Sequence, residues 1–214
     1  IENNISKNLK LTLRGQETLP ETHSVCKADF IMLKLDPEQI MGPLSTISED
    51  KFPNEKFHFQ LANPPFGQSW SNESNFVKDE IKNKNFYGRS RFIANKPPTV
   101  SDGQLLFLQI MIDKMAEGSR IGMVSNGSPL FTGDAGSGES EIRKYIFEND
   151  LLEAMIALPD QMFYNTGIST YLWILNNKKS AKRKGVVQLI DATKMGSDLS
   201  KSVGNKRKEI SEEA

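Results

Sequence analysis

The chain is poor in metal-binding and redox side chains: one cysteine, Cys26, and two histidines, His23 and His58. A single thiol excludes an intrachain disulfide and a cysteine zinc cluster, and so few imidazoles predict no dedicated metal site. A reducing, cytoplasmic setting fits that usage. Net charge is missing as well, because 27 Lys and Arg are matched by 27 Asp and Glu. The field of the whole molecule therefore gives no pull toward a polyanion, and any such contact has to come from local clusters. No apolar run approaches the length of a membrane span, and a glycine-rich stretch that does occur, residues 125–139, is followed by no Gly-Lys-Ser or Gly-Lys-Thr, which excludes a P-loop. There is no glycine before Gly15, and Ile1-Glu2-Asn3-Asn4 is neither an initiator methionine nor a basic-then-apolar leader, so the sequence reads as a fragment. At 214 residues it is long enough for one domain with a sizeable core.

What is present centres on residues 57–67. Phe57, Phe59 and Leu61 alternate with His58 and Gln60, the period of a strand, and Asn63-Pro64-Pro65-Phe66-Gly67 then forbids its continuation. Each proline removes an amide donor and biases the residue before it to extended backbone, so the turn offers carbonyl oxygens. With the Asn63 side-chain carbonyl and the Phe66 ring, it suits a planar heterocycle bearing an exocyclic amine: acceptors grip the amine while the ring stacks.

An Asn-Pro-Pro-Phe turn after a strand resembles the catalytic motif of the amino-group DNA methyltransferases that act on adenine. Leu61-Ala62-Asn63-Pro64-Pro65-Phe66-Gly67, then Asp102-Gly103-Gln104-Leu105-Leu106-Phe107 and Gly127-Ser128-Pro129-Leu130-Phe131, is similar to the methylation subunit of type I restriction-modification systems, from about Leu13 to the C-terminus. The resemblance implies an α/β, Rossmann-like S-adenosylmethionine-dependent methyltransferase sheet, mostly parallel, with a C-terminal antiparallel hairpin. It implies N6-adenine methylation of DNA, S-adenosylmethionine as methyl donor, and specificity and restriction subunits as partners. Asn63, Pro64, Pro65 and Phe66 would be the catalytic residues. A cysteine-dependent attack on a cytosine ring carbon does not fit, since Cys26 reads as a packing residue.

The rest of the chain is divided on that basis. Residues 1–60 are expected to be the second half of a cofactor region, 61–175 the catalytic region, and 176–214 an extra strand and tail. Leu9, Leu11 and Leu13 alternate with Lys10 and Thr12 and predict a strand ending before Gly15-Gln16-Glu17; the resemblance gives Glu17 the ribose hydroxyls of the cofactor, with a solvated acidic turn as the bland alternative. Glu21 to Leu35 predicts a helix packing on the sheet through Val25, Ala28, Phe30, Ile31 and Leu35. In Gly42-Pro43-Leu44-Ser45-Thr46, Pro43 departs from the family's Gly-Asp pattern, which leaves Ser45 or backbone groups to meet the adenine of the cofactor. Residues 68–98 predict a long polar loop in which Arg89 and Arg91, beside Tyr87 and Phe92, either contact DNA phosphates or are simply solvated.

Ser101 with Gln104 resembles a capping box opening a helix from Gln104 to Glu117, followed by a strand from Arg120 to Val124. Residues 125–139 are expected to be a flexible glycine loop near the substrate, leading into a helix from Glu139 to Glu148. Two apolar runs, Leu151 to Leu158 and Ile168 to Leu175, are joined too tightly for a crossover helix and should be antiparallel. In the family the Phe-Tyr-Asn-Thr-Gly loop between them lies beside the target base, so Phe163 or Tyr164 would pack on it; core packing of Phe163 competes. A further strand is expected at Val186 to Asp191, and the basic runs at 176–185 and 201–214 are either contact surfaces or solvated faces. The Gly-rich cofactor motif and first strand of the family do not occur before Leu9. The chain as given is accordingly expected to bind cofactor weakly and to be inactive alone. Two alternatives stay open: methylation of a cytosine amine or a protein Gln amide, and a noncatalytic assembly or DNA-contact module of the same complex.

Overall fold

The computed structural model describes residues 11–164 and 166–210, and the chain divides into two units between Pro53 and Asn54. In the first unit, strand β1 (Gly15–Gln16) runs parallel to β2 (Ile40–Met41), with helix α1 (Pro20–Met32) between them in sequence. The described part of the strand expected from Leu9 to Leu13 is not a strand. Leu9 lies outside the described residues, and Leu11 to Leu13 form no ladder: the Leu13 amide donates to Gln39 Oε1 at 3.1 Å, and β2 offers only Ile40 and Met41 for pairing.

Helix α1 stops at Met32, short of the expected Leu35. Lys34 turns left-handed at φ 58°, and the amides of Lys34 and Leu35 donate back to the carbonyls of Ile31 and Phe30. This is a Schellman ending with a lysine where glycine is usual. No residue of α1 is buried, and Val25 and Ile31, expected to pack on a sheet, are exposed.

The second unit is organised by a five-stranded sheet: β3 (Phe57–Ala62), β4 (Met115–Ser125), β5 (Leu152–Ala157), β6 (Tyr171–Asn176) and β7 (Gln188–Asp191), in spatial order β3-β4-β6-β5-β7. β3 is parallel to β4 and β5 to β7, while β6 is antiparallel to both its neighbours. The antiparallel pairing of the last two apolar runs thus follows from their short connection, and four strands end at the same edge. β4 is longer than the expected Arg120 to Val124 because Met115 already pairs with Phe57.

Helices α3 (Gln104–Asp113) and α5 (Gly138–Glu148) supply Leu105, Leu108, Met111, Ile142 and Ile146 to a core with Ile121, Met123, Met155, Trp173 and Leu175 of the sheet. Each such side chain contributes about 1.5–3 kcal/mol when fully removed from water. α3 is shorter than expected, ending at Asp113 so that the chain can enter β4. Its cap differs too: the Gln104 amide donates to Asp102 Oδ1 at 3.1 Å, and Ser101 is not the cap.

Residues 68–98 are more ordered than an irregular loop. They contain helix α2 (Ser74–Asn83), whose last turn closes on Lys84 in the left-handed region, and a tight reversal at Tyr87-Gly88 in which Phe86 and Arg89 exchange backbone hydrogen bonds at 3.0 Å. The glycines of 125–139 serve packing as well as turning. A Cβ on Gly138 would lie 2.1 Å from the Pro97 carbonyl oxygen, and the short helix α4 (Ser128–Phe131) occupies part of the same stretch. The basic tail forms an antiparallel hairpin of β8 (Ser197–Val203) and β9 (Lys206–Glu209), which periodicity did not reveal.

Candidate active site

The parallel strands β3, β4, β5 and β7 all deliver their carboxyl ends to one rim of the second unit, the place where open α/β sheets bind ligands. β3 runs into Asn63-Pro64-Pro65-Phe66. Asn63 is exposed, Pro64 buried and Phe66 half-buried, so the turn is anchored by its first proline and presents the asparagine outward. Among the described residues, neither Asn63 Oδ1 nor the Pro64 carbonyl accepts a hydrogen bond. Both acceptors are thus unspent, and Asn63, which is exposed, turns its own toward solvent. Gly67, at φ 61°, then reverses the chain.

The segment after the turn is pinned by polar contacts. The Gly103 amide donates to the Gln68 carbonyl at 3.1 Å, and buried Trp70 donates its backbone amide to Val100 and its indole N–H to the Thr99 carbonyl, both at 3.0 Å. At the end of β4, Asn126 Oδ1 accepts from the Ser128 amide at 2.9 Å and from Gln104 Nε2 at 3.0 Å, while the Asn126 amide donates to Gln104 Oε1 at 3.0 Å. Gln104 is completely buried and also donates to the Asp102 carboxylate at 2.9 Å. Trp70 and Asn126 were not singled out from sequence, and Gln104 was read only as part of a capping box. A usable signal existed in Gln104, a polar residue opening a helix that is apolar except for Gln109 and Asp113, because a buried amide has to be spent on hydrogen bonds.

At the end of β5, the loop from Pro159 to Gly167 brings Phe163 to Phe66, with ring centroids 6.4 Å apart at 89°. This edge-to-face pair joins the turn after β3 to the loop after β5, and neighbouring Tyr164 is exposed. The structure therefore brings Asn63, Pro64, Phe66 and Phe163 into one neighbourhood.

The two arginines separate. Arg91 is not available for a phosphate: its guanidinium is buried, donates to both Glu80 carboxylate oxygens, and lies 4.1 Å from the centre of the Phe86 ring. A buried charge requires such pairing, and that requirement overrides the expected DNA contact. Arg89 is part-exposed and ion-paired with Asp113.

In the first unit, Glu17 stands just past β1 and Ser45 follows β2, at the matching ends of this parallel pair. The Glu17 amide donates to Met41 and the Glu17 carbonyl accepts from Leu44, both at 3.0 Å. Gly42 allows this approach, since a Cβ there would lie 2.4 Å from the Glu17 carbonyl oxygen. Glu17 Oε1 accepts from the amides of Thr18 and Leu19 at 2.7 and 2.8 Å, and Ser45 Oγ accepts from the Ile47 amide at 3.3 Å. The Cys26 thiol titrates above its ordinary value, through burial first and then the nearby Asp29 and Glu17 carboxylates. That opposes a role as nucleophile. Among the described residues no cluster of three or more His, Cys, Asp or Glu is placed to hold a metal ion, and no helix is long and apolar enough to cross a membrane.

Comparison with known proteins gives this chain relatives. The family model described as N-6 DNA Methylase matches residues 1–214. The type I restriction enzyme HindI methylase subunit of Haemophilus influenzae is 32% identical over 188 residues, covering 87% of this chain and 39% of that protein. The MjaIX methylase subunit of Methanocaldococcus jannaschii is 29% identical over 195 residues, covering 90% of this chain and 33% of that protein. Among solved structures, the type I restriction-modification methyltransferase subunit from Streptococcus thermophilus superposes with a TM-score of 0.73 at 25% identity, covering 94% of this chain and 39% of that one. The chain thus spans between about a third and two-fifths of the length of these relatives.

Proposed function

Because the chain belongs to the N-6 DNA methylase family, we propose that it carries the amine-gripping part of a type I DNA methyltransferase (modification) subunit, one that methylates the exocyclic amine of adenine in DNA. The observation that carries this reading is the pair of unspent acceptors, Asn63 Oδ1 and the Pro64 carbonyl, on a stiff turn beside the Phe66–Phe163 ring pair. An adenine turned out of its duplex offers two amine hydrogens to those two oxygens. Accepting both hydrogens holds the nitrogen in one orientation and draws its lone pair out of conjugation with the ring. No nucleophilic side chain is required, in keeping with the raised Cys26 thiol. Phe66 and Phe163 supply apolar surface for the base, and holding the reacting groups in one orientation removes a substantial part of the barrier.

S-adenosylmethionine, the donor this family uses, supplies an activated methyl group when bound. The donor set of the first unit fits part of it. Glu17 keeps a second carboxylate oxygen beyond the one spent on Thr18 and Leu19, suited to vicinal ribose hydroxyls, and Ser45 stands at the corresponding end of β2. DNA and the specificity and restriction subunits of a type I complex are the partners this reading implies, in a cytoplasmic setting.

Asn63→Ala in the intact enzyme is expected to lower methyl transfer by about 100-fold or more, as loss of one preorganised polar partner does elsewhere, with S-adenosylmethionine affinity within about twofold. Retained turnover would overturn the proposal. Mass spectrometry of the product decides between adenine and the alternatives of a cytosine amine or a protein Gln amide. A complex that assembles and binds DNA with no methylated product in any substrate would favour the assembly module instead.

A further inference from the structure

Hairpin β8–β9 is fastened to the loop that carries Phe163 through several independent contacts. The Asn205 amide donates to the Tyr164 carbonyl at 2.9 Å, and the amides of Arg207 and Lys208 donate to the Gln161 carbonyl at 2.9 and 3.3 Å. Lys206 Nζ sits 5.4 Å from the centre of the Tyr164 ring, and Lys208 is ion-paired with Asp160. Alternation along β9 explains the pattern: Lys206 and Lys208 are part-buried toward the loop, and Arg207 and Glu209 are exposed.

Two glycines let the backbones meet. A Cβ on Gly204, which has φ 61°, would lie 2.6 Å from the Tyr164 carbonyl oxygen, and one on Gly196 would lie 3.0 Å from Pro159 Cβ. The loop itself is strained at Gln161, whose φ is 56°. A non-glycine residue holds that conformation only where its surroundings enforce it, and here its carbonyl is held by two hairpin amides.

We propose that β8–β9 is a positioning element for residues 159–167, setting where Phe163 stands against Phe66 and hence where the target base is held. The inference deepens, and for its catalytic consequence rests on, the adenine-methylating reading above. Lys206 and Gly204 are positioning residues that act through Tyr164 and Phe163, and neither touches the reacting atoms.

The test uses the intact enzyme with Gly204→Ala, Lys206→Ala and Lys206→Arg. Its first readout is amide hydrogen exchange across 159–167, which requires no activity. Exchange is expected to rise at least about fivefold in the two alanine variants and to return toward wild type with arginine, which keeps the cation over the ring. The second readout is the single-turnover methylation rate on duplex DNA and, in a separate duplex, the fluorescence of 2-aminopurine placed at the target position. The rate is expected to fall about tenfold, with altered fluorescence and with DNA and cofactor affinities within about twofold, since small misplacements cost rate before binding. Lys206→Arg is expected to restore both.

Wild-type exchange and wild-type rates in both alanine variants would overturn the inference and leave the proposed function standing. Faster exchange with wild-type rate and fluorescence would overturn the positioning role. A wild-type enzyme that methylates no adenine would overturn the functional reading, while the exchange data would still decide whether the hairpin holds the loop. Should Gly204→Ala fail to fold, the two Lys206 variants carry the same tests.

Discussion

Glu80 and Arg91 face one another inside the second unit, with Arg91 Nη2 2.7 Å from Glu80 Oε2 and neither side chain more than 1% exposed. Glu80 Oε1 also accepts from the Arg91 amide at 2.7 Å, so a single carboxylate holds both the charge and the backbone of the segment after Tyr87-Gly88. Removing either partner leaves an uncompensated buried charge. Glu80→Ala or Arg91→Ala is expected to cost about 3–5 kcal/mol, read as a lowered urea midpoint. Arg91→Lys should rescue little, because an ammonium does not reproduce the fork or stack on the Phe86 ring. Unchanged midpoints in both alanine variants would show that this pair does not secure the segment.

Gly136 and Gly138 are two residues apart and predict opposite tolerances. Gly138→Ala drives a methyl into the Pro97 carbonyl and is expected to cost about 1–3 kcal/mol in a denaturation series. Gly136 has φ 80° with nothing within 4 Å of a Cβ, so conformation alone limits it. Gly136→Asn, a residue that visits the left-handed region, should therefore be nearly neutral.

Glu139 links the second unit to acid stability. Burial alone would raise its carboxyl, but hydrogen bonding from Thr99, with help from its own amide and Ser137, outweighs burial and holds it below the ordinary range. A depressed carboxylate contributes stability that is fully present above the unfolded value, about 4.3, and is lost as pH falls through the lower folded value. Glu139→Gln is expected to flatten that limb of a urea-midpoint profile below about pH 4.3. An acid limb identical to wild type would remove the assignment.

Phe66 should be separable from Asn63 in kinetics. Base stacking on one aromatic is worth about 1–3 kcal/mol, so Phe66→Ala is expected to lower kcat/KM by about 5- to 150-fold. Phe66→Trp should keep most of it. Equal losses in both variants would indicate that the ring packs on Phe163 without holding a base.

The sequence made the sheet legible where two signals coincided. Alternation ended by Pro64 and Pro65 located β3, two apolar runs located β5 and β6, and the shortness of the connection from Pro159 to Gly167 forced the antiparallel pair. The Asn63 turn was readable because prolines act locally. Arg91 was misjudged because its partner, Glu80, is eleven residues away and only helix α2 brings the two together. The hairpin β8–β9 escaped for a related reason: its inward residues are lysines whose partners, Tyr164 and Asp160, lie in a different loop, so no hydrophobic period marks it. Leu11 to Leu13, the described part of that run, show the converse: alternation without a neighbouring strand to use it.

The outer strand of the five-stranded sheet has a practical consequence for anyone handling this polypeptide. Among the described residues β3 pairs on one side only, and it shows Phe59 at 77% and Leu61 at 89% exposure. A greasy ribbon with unsatisfied main-chain donors and acceptors is a template for another molecule of itself, and no lysine or proline within Phe57–Ala62 interrupts it. Where that rim is left open, concentrated solutions are expected to clump through it, and a charge introduced at Leu61 should keep them clear.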